Sequence, residues 1–145
     1  MIRIYTTFEQ AKALVDAGLD PRTADLSYDG YAFDNNGEHP LIMRKPSGEY
    51  DLPCWSCARL MALLPDEIII HETGKYRRHY KLEVSKFEPW QYAVNYVFGF
   101  YPDEEVLHET DCMDSPTDAL VEMLVWVMQN GYEDKEVQHE IAEKE

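Results

Sequence analysis

Apolar residues at helical spacing open the chain. Four of them between positions 8 and 15 fall on one face, which predicts an amphipathic helix that runs to about position 17. Two pairs at its start, Thr6 with Glu9 and Thr7 with Gln10, both fit a capping box. Either pair could begin the helix.

Two further segments predict helices. Ser56 is placed to cap a short helix that Pro65 stops. Ser115 and the proline after it begin a longer helix over residues 116–129, which is apolar on almost every side. A helix of that kind is buried, so we expect it to lie across a sheet with Trp126 at the interface.

Four segments in the middle of the chain have the features of strands. Apolar and polar residues alternate over residues 76–84 and 92–100, and β-branched side chains dominate residues 67–71. Residues 106–110 supply a fourth segment. Short turns join the four, which predicts an antiparallel meander. Before them, residues 24–51 are rich in turns and hold only short extended pieces.

Together these elements predict an α+β fold, in which two or three helices pack on a mainly antiparallel sheet of about four or five strands. Residues 1–132 form the predicted single domain. Residues 133–145 are polar and acidic, and their two aliphatic side chains of substantial size, Val137 and Ile141, lie one helical turn apart. We expect this tail to be a frayed or loosely docked helix.

The chain carries a formal net charge of -15, and 45% of its residues are hydrophobic, which is enough for a packed core. The charge repels nucleic-acid phosphates and anionic membrane surfaces, so it disfavours direct binding to either and favours a basic protein partner. The apolar stretch over residues 119–128 is too short to span a membrane. No export signal is recognisable, and three cysteines, an odd number, are typical of free thiols. We therefore expect a cytoplasmic protein.

The acids are unevenly distributed. Between Lys86 and Lys135 there are eleven acidic residues and no lysine or arginine. This stretch is either a solvated surface or a docking face for a basic protein, and a third interpretation is a decoy that occupies a nucleic-acid-binding host protein. The expected face comprises one aromatic residue that follows a proline and five acids: Trp90, Asp103, Glu104, Glu105, Glu109 and Asp111.

Cys54 and Cys57 come nearest to recognisable chemistry. Two thiols at this spacing beside a helix N-terminus can form a reversible disulfide. A redox pair follows a strand of a βαβ unit, whereas the segment here is rich in turns, so we expect structural thiols. A zinc site would add Cys112 and either His71 or His108. No catalytic or cofactor-binding motif occurs, so neither a catalytic residue nor a cofactor is predicted.

Three blocks of the sequence resemble a known family. The blocks are Gly18-Leu19-Asp20-Pro21 with Thr23-Ala24-Asp25; Leu52-Pro53, Trp55-Ser56 and Leu60 with Leu63-Leu64-Pro65 and Glu67-Ile68; and Asp118-Ala119 with Met123, Trp126 and Asn130. Together they are similar to short uncharacterised proteins of phages, prophages and other mobile elements of gut bacteria. The resemblance implies an origin and a compartment, and it implies no activity. Members of that family often read Pro-Ala-Trp-Ser-Leu where this chain reads Pro53-Cys54-Trp55-Ser56-Cys57, which implies that the cysteine pair is peculiar to this chain.

We therefore expect a non-enzymatic, acidic accessory protein of phage or mobile-element origin that binds another protein. One alternative is a thiol-redox or metal-binding protein that uses Cys54 and Cys57. The other is the acidic decoy of a nucleic-acid-binding host protein.

Overall fold

The computed structural model describes residues 3–71, 77–88, 91–100 and 102–144. These residues form four α-helices: α1 (Phe8–Asp16), α2 (Cys57–Leu63), α3 (Pro116–Gln129) and α4 (Lys135–Glu143). They also form seven strands: β1 (Leu26–Asp29), β2 (Leu41–Ile42), β3 (Asp51–Cys54), β4 (Glu67–His71), β5 (Arg77–Glu88), β6 (Gln91–Phe98) and β7 (Glu105–Glu109). The strands build two antiparallel sheets, in the orders β2-β1-β3 and β4-β5-β6-β7. The predicted α+β fold is confirmed, with two sheets where one was expected.

The four-stranded sheet is the antiparallel meander that the strand segments predict. β5 pairs with β4 on one side and with β6 on the other, and β6 also pairs with β7. Because each strand pairs with the next along the chain, short connections suffice. β4 and β7 are therefore the edges of this sheet.

β6 departs from the predicted alternation of buried and exposed side chains. Five consecutive residues are buried, although their side chains point alternately to the two faces of the sheet: Ala93, Val94, Asn95, Tyr96 and Val97. The alternation places Phe98 and Phe100 inside, but Phe98, the last residue of β6, and Phe100, beyond its end, are both exposed.

The turn-rich segment builds the second sheet, in which β1 lies between β2 and β3. The Tyr28 hydroxyl donates to the Thr6 carbonyl oxygen at 2.5 Å and so ties this sheet to the residues just before α1. Gly30 must be a glycine, since a Cβ there would lie 2.3 Å from the Tyr50 carbonyl oxygen. The sequence predicts only short extended pieces here, and not their pairing.

The helices begin at local capping signals. Of the two capping boxes, the pair that forms is Thr7 with Gln10: Thr7 Oγ1 accepts from the Gln10 N–H at 3.0 Å, and Gln10 Oε1 accepts from the Thr7 N–H at 2.9 Å. Ser56 Oγ accepts from the Arg59 N–H at 3.1 Å at the start of α2. Ser115 caps α3, which spans the predicted residues.

The hydrophobic core lies around α3, which contacts β6, α2 and α1. Trp55 is fully buried beside α2, and its indole N–H donates to Thr23 Oγ1 at 2.9 Å. Trp126 stacks on His108 of β7, so it does lie between helix and sheet. However, Trp126 is only partly buried, although a helix that is apolar on almost every side predicts burial.

The C-terminal tail forms α4, which contacts the short 3-10 turn Pro21–Thr23. Arg22 Nη1 lies 3.1 Å from Glu143 Oε1, and Ile141 packs against the core. α4 has no fully buried residue. None of the helices in the described ranges has the length and apolar character needed to cross a membrane.

Candidate interaction surface

β7 is an edge strand, and the predicted acids lie at its two ends. Asp103 and Glu104 precede it, Glu105 is its first residue, Glu109 is its last, and Asp111 follows. A strand of this length spans ~14 Å, so the acids form two separate groups. An edge strand also leaves one row of backbone N–H and C=O groups without a partner strand. We refer to β7 together with Asp103, Glu104, Glu109 and Asp111 as the acidic edge.

Four acids of the acidic edge are exposed, namely Asp103, Glu104, Glu109 and Asp111. Within the described ranges, none of these four forms an ion pair. Uncompensated carboxylates attract a basic partner over about one Debye length, ~10 Å at ~0.1 M salt. The acidic edge therefore presents negative charge that this part of the chain does not itself neutralise.

Glu105 behaves differently from its neighbours. Its carboxylate pairs with Arg78 of β5 across the sheet and accepts from the Tyr80 hydroxyl at 3.1 Å. The sequence suggests a free acid in a loop, whereas Glu105 begins a strand and is held by β5. Because its carboxylate is already paired, we do not count it as available to a partner.

An aromatic pair lies beside the far end of β7. His108 and Trp126 stack with their ring centroids 4.2 Å apart and their planes 3° from parallel. Burial lowers the pKa of His108, so the imidazole is neutral at pH 7. Burial, with Asp111 nearby, raises the pKa of Glu122, one helical turn before Trp126. Glu122 Oε2 is buried without a hydrogen-bond partner in the described residues.

Trp90, the aromatic residue predicted for this face, lies outside the described residues. Among the described residues, His108, Trp126 and Glu122 lie beside the acids. The sequence predicts only a packing role for Trp126, because its helix is apolar on almost every side. Their proximity to Asp111 depends on the docking of α3 against the sheet, which leaves no local signal.

The three cysteines are free thiols in different environments. Cys54 ends β3 and is fully buried, with Sγ 3.5 Å from the Thr6 carbonyl oxygen. Burial raises the pKa of the Cys54 thiol, which disfavours the thiolate that disulfide exchange requires. Cys57 is the first residue of α2 and is partly exposed, and Cys112 is exposed. A strand does precede the pair, contrary to the turn-rich lead-in, but that strand is antiparallel and belongs to no βαβ unit.

The ligands considered for zinc do not converge. Cys54 is buried beside Thr6, His71 ends β4, and His108 stacks on Trp126. Within the described part of the chain, no group of three or more His, Cys, Asp or Glu side chains is placed to hold a metal ion.

A cleft of about 580 Å³ opens beside α1, and no sequence pattern indicates it. The His39 ring lies between Phe8 and Phe33, with centroid distances of 5.4 Å and 4.5 Å. His39 Nδ1 is 3.0 Å from two backbone carbonyl oxygens, and because a carbonyl only accepts, Nδ1 carries a proton. Arg3, also in the wall, already pairs with an aspartate at 2.8 Å. The wall also holds Glu9 and Glu38, whose carboxylates form no ion pair within the described ranges, so the uncommitted charge of the cleft is acidic.

Comparison with models of protein families, with curated proteins and with solved structures yields no match for this chain. The function proposed below rests on the chemistry of the acidic edge and on the resemblance in the sequence.

Proposed function

We propose that this chain is a non-enzymatic cytoplasmic accessory protein, of phage or mobile-element origin, that binds a basic segment of another protein. The observation that carries the proposal is an edge strand with exposed carboxylates at both ends that form no ion pair in the described part of the chain. The three blocks of sequence resemblance support the proposed origin.

The acidic edge offers two kinds of recognition to one ligand. The free backbone groups of β7 can pair with an extended segment that joins the sheet as a further strand. The carboxylates at the two ends attract lysine and arginine and fix the register of that segment. A segment that alternates basic and strand-forming residues satisfies both requirements.

The aromatic pair refines the expected partner. A guanidinium packs well against an aromatic ring, and Trp126, which is partly exposed, lies beside the strand with one face stacked on His108. Glu122 Oε2, which has no donor among the described residues, lies on the same helix one turn away. An arginine at the end of the segment nearest Asp111 would meet both groups.

Binding of a fluorescent peptide of alternating lysine and threonine tests this function. The variant Asp103→Lys/Glu104→Lys reverses two acids of the acidic edge. The control Glu136→Lys/Glu140→Lys makes the same change in net charge at exposed positions of α4. At ~0.15 M salt, we expect the first variant to bind the peptide about tenfold or more weakly than the wild type. The control should change the affinity less than about twofold. Glu105 is left unchanged because its carboxylate is already paired with Arg78.

Equal weakening by the two variants would show attraction by net charge alone, without a docking surface. A peptide that does not saturate the wild type would also contradict the proposal. Formation of a Cys54–Cys57 disulfide at cytosolic redox potential would instead favour the thiol-redox alternative.

A further inference from the structure

Three oxygen-bearing side chains form a row across the four-stranded sheet. Glu83 of β5 lies opposite Asn95 of β6, and Asn95 lies opposite Glu109 of β7. Residues directly opposite on paired strands share a face, with Cβ atoms ~5 Å apart. This face points away from α3, because Val94 and Tyr96, on either side of Asn95, pack into the core. Asn95 therefore has a carboxylate-bearing residue on each side.

Asn95 carries a polar atom that the fold does not satisfy. The residue is only 7% exposed, and its Oδ1 is buried without a hydrogen-bond partner in the described residues. A buried carbonyl oxygen without a donor costs about 1–3 kcal/mol. The flanking glutamates cannot supply the donor, since an ionised carboxylate only accepts. A cation could be bound by the Asn95 amide oxygen and by both glutamate carboxylates.

We propose that Glu83, Asn95 and Glu109 bind a divalent cation of the Ca²⁺ class. Ca²⁺ takes about six to eight oxygen ligands from carboxylates, amide carbonyls and water, in flexible geometry. Two carboxylates, each able to bind through both oxygens, and one amide oxygen supply up to about five of these. Mg²⁺ demands a stricter geometry and sheds water reluctantly, so it binds this row more weakly. The site is independent of the proposed function, although Glu109 belongs to both.

The residues next to the row influence its affinity. Ser85 Oγ lies 3.2 Å from Glu83 Oε1 and donates to it, which orients that carboxylate. Lys81 lies one row away on the same face, opposite Val97, and its charge opposes that of a bound cation. Lys81→Gln should therefore bind Ca²⁺ more tightly than the wild type.

Calorimetric titration of the full chain with CaCl₂ tests the site, in ~0.15 M KCl to screen the diffuse acidic surface. We expect one saturable site per chain, with weaker binding of MgCl₂. Glu83→Gln and Glu109→Gln should each lower the affinity for Ca²⁺ about tenfold or more. Glu104→Gln removes the same charge from an exposed acid outside the row, and should change the affinity less than about twofold.

Asn95→Asp gives a second readout through the melting temperature. A third carboxylate in the row should lower the melting temperature without Ca²⁺ and strengthen Ca²⁺ binding, so that added Ca²⁺ restores stability. If the Asn95 amide instead donates to the glutamates, the variant is equally destabilised with and without Ca²⁺, which overturns the proposal. Absence of saturable Ca²⁺ binding, or weakening by Glu104→Gln equal to that of Glu83→Gln, overturns it as well.

Discussion

Trp55 and Trp126 differ in burial, and their contributions to stability should differ accordingly. Trp55 is fully buried and hydrogen-bonded to Thr23, whereas Trp126 is partly exposed and stacks on His108. We expect Trp55→Ala to lower the free energy of unfolding by about 3–5 kcal/mol and Trp126→Ala by about half as much. Urea denaturation measures both. The reverse order would mean that Trp126 is the principal core residue.

The three thiols should react at different rates with an alkylating reagent. Cys112 is exposed and should react first, followed by the partly exposed Cys57. Cys54 is buried with a raised pKa, so it should react only when the fold opens. Mass spectrometry of quenched time points assigns each rate. Rapid alkylation of Cys54 in the folded protein would contradict its structural role.

Glu122 makes stability depend on pH. Burial and Asp111 raise its pKa in the folded state. A carboxyl whose pKa is raised by folding stabilises the folded state fully at a pH below its pKa in the unfolded chain. That stabilisation is lost as the pH rises through its pKa in the folded protein. Glu122→Gln stays uncharged, so it should melt at a higher temperature than the wild type at pH 7, with little difference near about pH 4. A lower melting temperature at pH 7 would show that the carboxylate has a stabilising partner.

At the scale of residues, what can be predicted depends on the distance along the chain between interacting groups. The capping pair Thr7 and Gln10 is three residues apart, so its pattern is visible in the sequence. Glu105 and Arg78 are 27 residues apart, and their pairing depends on the register of three strands. For the same reason, the sequence indicates that acids are present and not which of them are free.

At the scale of elements, α2 depends on Ser56 at its start. The Ser56 backbone N–H and hydroxyl both donate to Asp25, at 2.9 Å and 2.5 Å, and its Oγ accepts from Arg59. Ser56→Ala removes the cap and one of the bonds to Asp25, so it should cost about 1–2 kcal/mol of unfolding free energy in urea. A loss below about 0.5 kcal/mol would mean that α2 does not need this cap.

Helices and long strands were predictable, and the second sheet was not. α3 and the meander have enough residues for an apolar period to appear. β2 has only two residues, and β1 and β3 have four each, which is too short for a period. Their pairing rests on contacts such as that of Gly30 with Tyr50, twenty residues on, which no local pattern reveals.

At the scale of the whole molecule, α4 is an appendage held by few contacts. Its ion pair with Arg22 is exposed, and Ile141 is only partly buried. Deletion of residues 133–145 should therefore cost about 1–2 kcal/mol and leave one cooperative unfolding transition. Loss of cooperative unfolding would show that α4 completes the core.

The basic partner that we propose follows from the net charge of -15, and the docking place that we propose follows from the fold. Among the predicted acids, Glu105 is committed to Arg78, whereas Asp103, Glu104, Glu109 and Asp111 are exposed at the ends of an edge strand. The strand edge supplies hydrogen bonds and the acids supply attraction. Neither feature alone defines a binding surface.

Amide hydrogen exchange tests the acidic edge most directly, measured with and without the lysine-threonine peptide. The exposed edge of β7 should exchange quickly in the free protein and more slowly when a strand is added to it. β4, the other edge of the same sheet, serves as the internal control. The account predicts protection at β7 that weakens as salt is raised, with β4 unchanged. Peptide binding that leaves β7 unprotected, or protects β4 equally, would contradict it.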